Sequence, residues 1–137
     1  MTTYQKTYYH VVWTTAGRED RLTPELEAVV RKVALGVSES LGVTVYALNG
    51  MPDQVHLVCA IPPRQTVASV IRRIKGATSR SANILIGSSG PFWQTGYGVF
   101  TVSQQDLSRV VEYVLRQKEH HASLSVWENA EPTRQAR

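Results

Sequence analysis

The stretch "VTVYALNGMPDQVHLVCAI", residues 43–61, decides the architecture. Two apolar, β-branched runs, Val43–Asn49 and Val55–Ile61, flank the turn residues Gly50, Met51, Pro52 and Asp53, and Pro62 and Pro63 stop the second run. Runs of this kind bounded by Gly, Pro and Asp read as strands, and so short a connection joins them as an antiparallel hairpin. Strand side chains alternate, so Gln54, His56, Val58 and Ala60 share one face, and Val55, Leu57, Cys59 and Ile61 the other. An imidazole nitrogen beside an amide oxygen can serve a divalent cation, although taken alone His56 reads first as an ordinary hydrogen-bonded structural histidine.

Outward from the hairpin, the chain divides into further regular pieces. "YYHVVWTT" (Tyr8–Thr15) is an aromatic, β-branched first strand. Thr23 and Pro24 open a helix whose apolar stripe is Leu26, Val29, Val30, Val33, Val37 and Leu41, and Gly42 ends it. A second helix follows Thr66, with Val67, Val70, Ile71 and Ile74 inward and Arg72, Arg73, Lys75 and Arg80 directed elsewhere. "FWQTGYGVFTV" reads as a glycine-interrupted fourth strand, and "SQQDLSRVVEYVLRQKEHHA" as a third helix capped by Ser103 with Asp106 three residues on. The order β-α-β-β-α-β-α predicts an α+β, ferredoxin-like antiparallel sheet with helices packed on one face.

At 137 residues and 42% hydrophobic, the chain suits one domain with a core of useful size. We read residues 1–137 as that domain, its core at 8–122 and a polar tail over 125–137. A formal charge of +4 favours polyanionic partners without demanding them. The single cysteine, Cys59, has no partner for an intrachain disulfide and reads as a small buried hydrophobe. No stretch approaches the roughly 18 apolar residues a membrane span needs, and "MTTYQKTYYH" shows no charged segment followed by an apolar run. The expectation is a cytoplasmic protein without a membrane partner.

The third helix carries the most suggestive spacing. Leu107, Val110, Val111, Val114 and Leu115 form one apolar stripe, and Tyr113, Gln117 and His120 a second beside it. A tyrosine and a glutamine four residues apart point the same way, so one could offer a phenolic nucleophile and the other a metal-binding oxygen. A rim around a helix interface would use the same pair.

Five blocks in order, "YHVVWTT", "ALNGMPDQVHLV", "IKGATSR", "FWQTGYGVFTVS" and "VEYVLRQKEHH", resemble the single-tyrosine HUH transposases of small insertion sequences and their REP-associated relatives. The resemblance runs over residues 8–122. In that family the strand motif is histidine, a hydrophobic residue and histidine, commonly after Met-Pro-Asp. Met51, Pro52, Asp53, Val55 and His56 match, and Gln54 replaces the first histidine. The resemblance implies an HUH endonuclease-type fold, a catalytic Tyr113, and a Mg²⁺ or Mn²⁺ site held by His56, Gln117 and Gln54. It implies a strand transferase that cuts single-stranded DNA with hairpin ends through a 5′-phosphotyrosine, acts as a homodimer, and works at the nucleoid. The replacement at position 54 raises an alternative: an impaired or domesticated relative that binds hairpin DNA without cutting it.

Other residues extend the expected DNA surface. Arg72, Arg73, Lys75 and Arg80 could contact phosphates, with a solvated helix face as the plain alternative. Trp93 and Tyr97 could stack on unpaired bases, although core packing suits at least one of them. His10 could line the site, and His120 and His121 complement a helix end or touch DNA. A ferredoxin-like RNA-binding module is disfavoured because strand three lacks the aromatic pattern such domains use.

Overall fold

The computed structural model describes residues 4–118. Four strands form one antiparallel sheet: β1 (Tyr8–Thr14), β2 (Thr44–Met51), β3 (Gln54–Ala60) and β4 (Gly98–Val102), in the spatial order β2-β3-β1-β4. Three helices complete the fold: α1 (Pro24–Ser40), α2 (Val67–Ile86) and α3 (Leu107–Leu115).

The hairpin is tighter than the sequence suggests. Gly50 and Met51 stay in β2, and Met51 pairs directly with Gln54, leaving Pro52 and Asp53 as a two-residue turn. Neither turn residue has a positive φ, which two-residue hairpins generally favour. The turn is held from outside instead: Thr15 N donates to the Asp53 carbonyl (2.9 Å) and Leu22 N to that of Pro52 (2.9 Å).

Helices α1 and α2 cover one face of the sheet. Leu26, Val30, Ala34, Val70, Ile71 and Ile74 pack there against Val11, Trp13, Val55, Leu57 and Cys59 in the main core. Thr23 Oγ1 accepts from Leu26 N at the start of α1, and Gly87, in the left-handed region at φ 69°, closes α2. Gly50 is a close approach, since a Cβ there would lie 2.8 Å from Leu22 Cδ2.

The α+β antiparallel class stands, but the helices do not all share a face. Helix α3 packs on the opposite side, where Tyr113 and Val114 join Ala47 and Val58 in a small second cluster. Helical periodicity marks which side of a helix is buried, not which side of a sheet receives it. Ser103 Oγ accepts from Asp106 N as expected, although the first turn, Gln104–Asp106, is a 3-10 helix. Leu115 is 57% exposed, outside the buried stripe. The helix breaks at Arg116 (φ −101°, ψ 18°), so Gln117 follows a kink rather than a continuous turn.

The expected fourth strand begins late. Only Gly98–Val102 forms a ladder with β1, and residues 91–97 form a loop that meets the end of β1 through one isolated bridge, Trp93 to Thr15. Phe92 and Trp93 turn into the core, Gly96 takes φ 89°, and the Lys75 ammonium donates to the carbonyls of Gln94 (2.8 Å) and Gly96 (2.6 Å). Those carbonyls are thereby withheld from a β-ladder. Among the described residues, no helix is long and apolar enough to cross a membrane. His120, His121 and the tail at 125–137 lie outside the described residues.

Candidate functional site

Strand β3 is internal, so each of its side chains is flanked by two neighbours. His56 pairs with Val12 of β1 and Asn49 of β2, and Gln54 pairs with Thr14 and Met51. Gln54 and His56 are fully buried on the face that receives α3, as their alternation requires. Helix α3 lays Tyr113 over this face, its ring centroid 6.5 Å from that of His56 and nearly perpendicular to it at 74°. Tyr113 is only 4% exposed. His56 and Tyr113 are therefore neighbours within one chain.

Asn49 fixes the end of the helix beside His56. Its Nδ2 donates to the carbonyls of Val114 (2.9 Å) and Leu115 (3.4 Å) in the last turn of α3. Its Oδ1 accepts from Lys118 Nζ (3.1 Å), which also pairs with Glu27 Oε2 at 3.0 Å. Fully buried Gln117 sits between these two anchored points. No sequence motif marks Asn49, although an amide on the strand residue opposite His56 is a usable signal once the hairpin register is set.

A second network steadies the turn before Gln54. Arg18 Nε and one terminal nitrogen donate to Asp53 Oδ2 at 3.2 and 3.1 Å. Arg18 adopts φ 54°, an uncommon backbone for a residue with a long side chain. Gln94 N donates to the Thr14 carbonyl (2.8 Å), and Gly17 N to Gln94 Oε1 (2.9 Å). Asp53 of the Met-Pro-Asp stretch thus orients the turn rather than the site.

In the sequence His10 reads only as a residue that could line the site. It belongs to the α3 face too, because Val12, two residues on, pairs with His56. Its Nε2 lies 3.0 Å from His56 Nδ1, and the rings stand 5.2 Å apart at 29°. Among the described residues no group of three or more His, Cys, Asp or Glu could hold a metal ion. A mixed set of the His56 imidazole and the amide oxygens of Gln54 and Gln117, all fully buried, does fit a nitrogen and oxygen preference such as that of Mn²⁺ or Mg²⁺.

The expected DNA surface divides differently. Arg72, Arg73 and Arg80 are exposed on α2, across the sheet from His56 and Tyr113. Lys75 is committed to loop carbonyls, and burial lowers its pKa from the ordinary lysine value. Trp93 is buried, with Nε1 donating to Thr78 Oγ1 at 2.9 Å and its ring edge-on to Trp13 and Phe92. The base-stacking expectation for Trp93 gives way to core packing, since its faces and its one donor are used inside the protein. Tyr97 is half-buried against the same core.

The family model described as "Transposase IS200 like" matches residues 3–117. The ISDra2 transposase TnpA of Deinococcus radiodurans is 24% identical over 112 residues, covering 77% of this chain and 80% of that protein. The transposase for insertion sequence element IS200 of Salmonella typhimurium is 25% identical over 117 residues, covering 81% and 76%. A Deinococcus radiodurans crystal structure described as a transposase superposes with TM-score 0.68 at 25% identity, over 85% of this chain and 95% of that one. A REP-associated tyrosine transposase bound to a REP hairpin has the same TM-score at 16% identity, covering 88% and 74%, and speaks for the fold alone. With the family model spanning most of its length, the chain belongs to the IS200-like transposase family.

Proposed function

We propose that this transposase is a metal-dependent single-stranded DNA strand transferase with Tyr113 as nucleophile. The observation that carries the reading is the placement of Tyr113 over His56, on the sheet face that also buries Gln54. His56, Gln54 and Gln117 would hold Mg²⁺ or Mn²⁺, which when bound polarises the scissile phosphate. The Tyr113 oxygen attacks phosphorus in line with the departing 3′-oxygen. The phenolic proton passes to solvent, the P–O3′ bond breaks, the 3′-oxygen takes up a proton, and a 5′-phosphotyrosine remains. A second DNA end reverses the exchange. With Tyr113 enclosed, a phosphate reaches its oxygen only when α3 parts from β2 and β3.

The set of one neutral imidazole and two amides brings no formal negative charge, so metal affinity is expected to rise when DNA phosphate completes the site. We assign single-stranded DNA with hairpin ends as the substrate, with the exposed Arg72, Arg73 and Arg80 as phosphate contacts and Tyr97 as a further contact with the strand. A homodimer suits edge strand β4, whose Val99 and Phe100 are 40% and 36% exposed and which among the described residues pairs with β1 alone. The whole chain, 1–137, is taken as one transposase domain acting on DNA in the cytoplasm.

The test is incubation with single-stranded hairpin ends, taken from DNA flanking the coding sequence, with Mg²⁺ or Mn²⁺ and denaturing electrophoresis. A covalent DNA–protein adduct that disappears in Tyr113→Phe is expected. Its absence across ends and metal concentrations defeats the reading. A second reading, hairpin binding without cleavage, is motivated by Gln54 in place of histidine. Gln54→His separates the two: new cleavage with unchanged hairpin affinity identifies the parent chain as an impaired nuclease.

A further inference from the structure

His10 and His56 form a direct imidazole–imidazole contact inside the protein. Both rings are buried, and their nitrogens, Nε2 of His10 and Nδ1 of His56, lie 3.0 Å apart. A centroid separation of 5.2 Å is close to the longest that such a nitrogen contact allows, so the rings meet end to end. That is the geometry of an N–H···N hydrogen bond, in which the two nitrogens share one proton. Two ligands of one octahedral ion would instead turn their ring axes toward a common point at a right angle. His10 is therefore placed to act on His56 rather than beside it.

A neutral pair has two arrangements. If His10 Nε2 carries the proton, His56 Nδ1 accepts it and His56 must hold its own proton on Nε2. If His56 Nδ1 carries the proton, His10 Nε2 accepts, and His56 Nε2 keeps its lone pair. Only the second arrangement leaves His56 a base or ligand through the nitrogen away from His10. Ligating histidines generally donate their other N–H to a fixed acceptor, which sets both tautomer and ring orientation.

We infer that His10 is a positioning residue that fixes His56 as the Nδ1–H tautomer, leaving the Nε2 lone pair available. The contact itself allows either arrangement, so the choice of this tautomer rests on the metal reading above. Strand pairing supports the assignment. His10 lies diagonally across the β1–β3 ladder from His56, one pleat beyond Val12, within reach of a ring on the same face. On its other side stands Phe100 of β4, its ring centroid 6.4 Å away, which limits the tilt of the His10 ring. The acceptor is thus held by two neighbouring strands.

Long-range ¹H–¹⁵N correlation spectra of the metal-free full chain test the inference without any activity. They are expected to show His56 with a protonated Nδ1 and an unprotonated Nε2. A His56 with the proton on Nε2 overturns it. In parallel, Mn²⁺ titration in the presence of hairpin DNA compares the parent, His10→Phe and His10→Gln. The phenylalanine variant removes the acceptor, and a loss of about 10- to 100-fold in Mn²⁺ affinity is expected. The glutamine variant offers a carbonyl oxygen near the position of Nε2 and retains most of the affinity. Equal affinity in the parent and His10→Phe, with matching circular dichroism melts, overturns the inference. A parent that shows the Nδ1–H tautomer but binds no Mn²⁺ removes the metal reading and leaves the tautomer assignment in place.

Discussion

The two faces of the sheet are made by alternate residues of the same strands, yet they are built on different principles. The face under α1 and α2 is closed by aliphatic and aromatic side chains from Val11, Trp13, Leu57, Ile71, Ile74 and Phe92. The face under α3 buries His10, Thr14, Asn49, Gln54 and His56 beside a much smaller apolar cluster. Hydrogen-bonded polar groups contribute less net stability than buried apolar area, so the face with the larger apolar core is expected to carry most of the stability. One face holds the strands in place and the other carries the groups suited to chemistry. Among the described residues α3 is the shortest of the three helices, nine residues against seventeen in α1 and twenty in α2, and its apolar cluster is the smaller one.

The largest expected effects break this division in opposite ways. Tyr113→Phe is expected to reduce DNA adduct formation by at least about 10³-fold, because the proposed reaction uses the Tyr113 oxygen as its nucleophile. Its melting temperature should stay close to the parent's, since the ring is kept. Full adduct formation in this variant would remove Tyr113 from the chemistry. On the other face, Ile74→Ala is expected to cost about 2–5 kcal/mol in urea unfolding, while leaving the spectra of His10 and His56 in the folded state unchanged. An equal cost from Val58→Ala, in the smaller cluster, would mean that the two faces share the stability evenly.

The same division explains what the sequence reveals. The 24–40 helix announces itself through Thr23, Pro24 and a long apolar stripe, all local signals. The hairpin is legible because alternation and a proline stop specify it within twenty residues. Gln54, His56 and Tyr113 can be named from motif resemblance, and the alternation of β3 correctly puts the first two on one face. The side on which α3 packs is not legible, because its stripe fits either face. Nor is the His10–His56 bond, which depends on the register of strands more than forty residues apart. "FWQTG" has strand-forming residues but becomes a loop, since Lys75, distant in sequence, captures its carbonyls and the core takes its aromatic rings.

A subtler test addresses how α3 is held. Asn49→Ala removes the donor to Val114 and Leu115 and the acceptor for Lys118, all near the end of the helix that overlies His56. A loss of about 1–2 kcal/mol is expected, the size of a buried hydrogen-bonded group left without its partner. Hydrogen exchange locates it: the α3 amides should exchange faster, with α1 and α2 unchanged. Uniform acceleration through all three helices would mean that α3 opens only with the whole molecule, against the view that it is the separable layer.

The smallest effect belongs to the apolar face and probes it through Cys59, whose side chain points into the main core beside Val11 and Leu57. Burial disfavours the thiolate and pushes its pKa from 9.0 to about 12. The folded chain therefore keeps a proton that the unfolded chain releases as pH rises above 9. Stability from this group is fully present below pH 9 and declines as pH climbs toward 12, because the unfolded state then binds fewer protons. The decline should vanish in Cys59→Ala, once the cost of the smaller side chain is subtracted at neutral pH. At pH 8 a thiol reagent should label the native protein only as fast as it unfolds, with the rate rising in urea along the unfolding curve. Fast labelling without urea would show that solvent enters between α2 and β3, and the closed face would then be as open as the one that carries Tyr113.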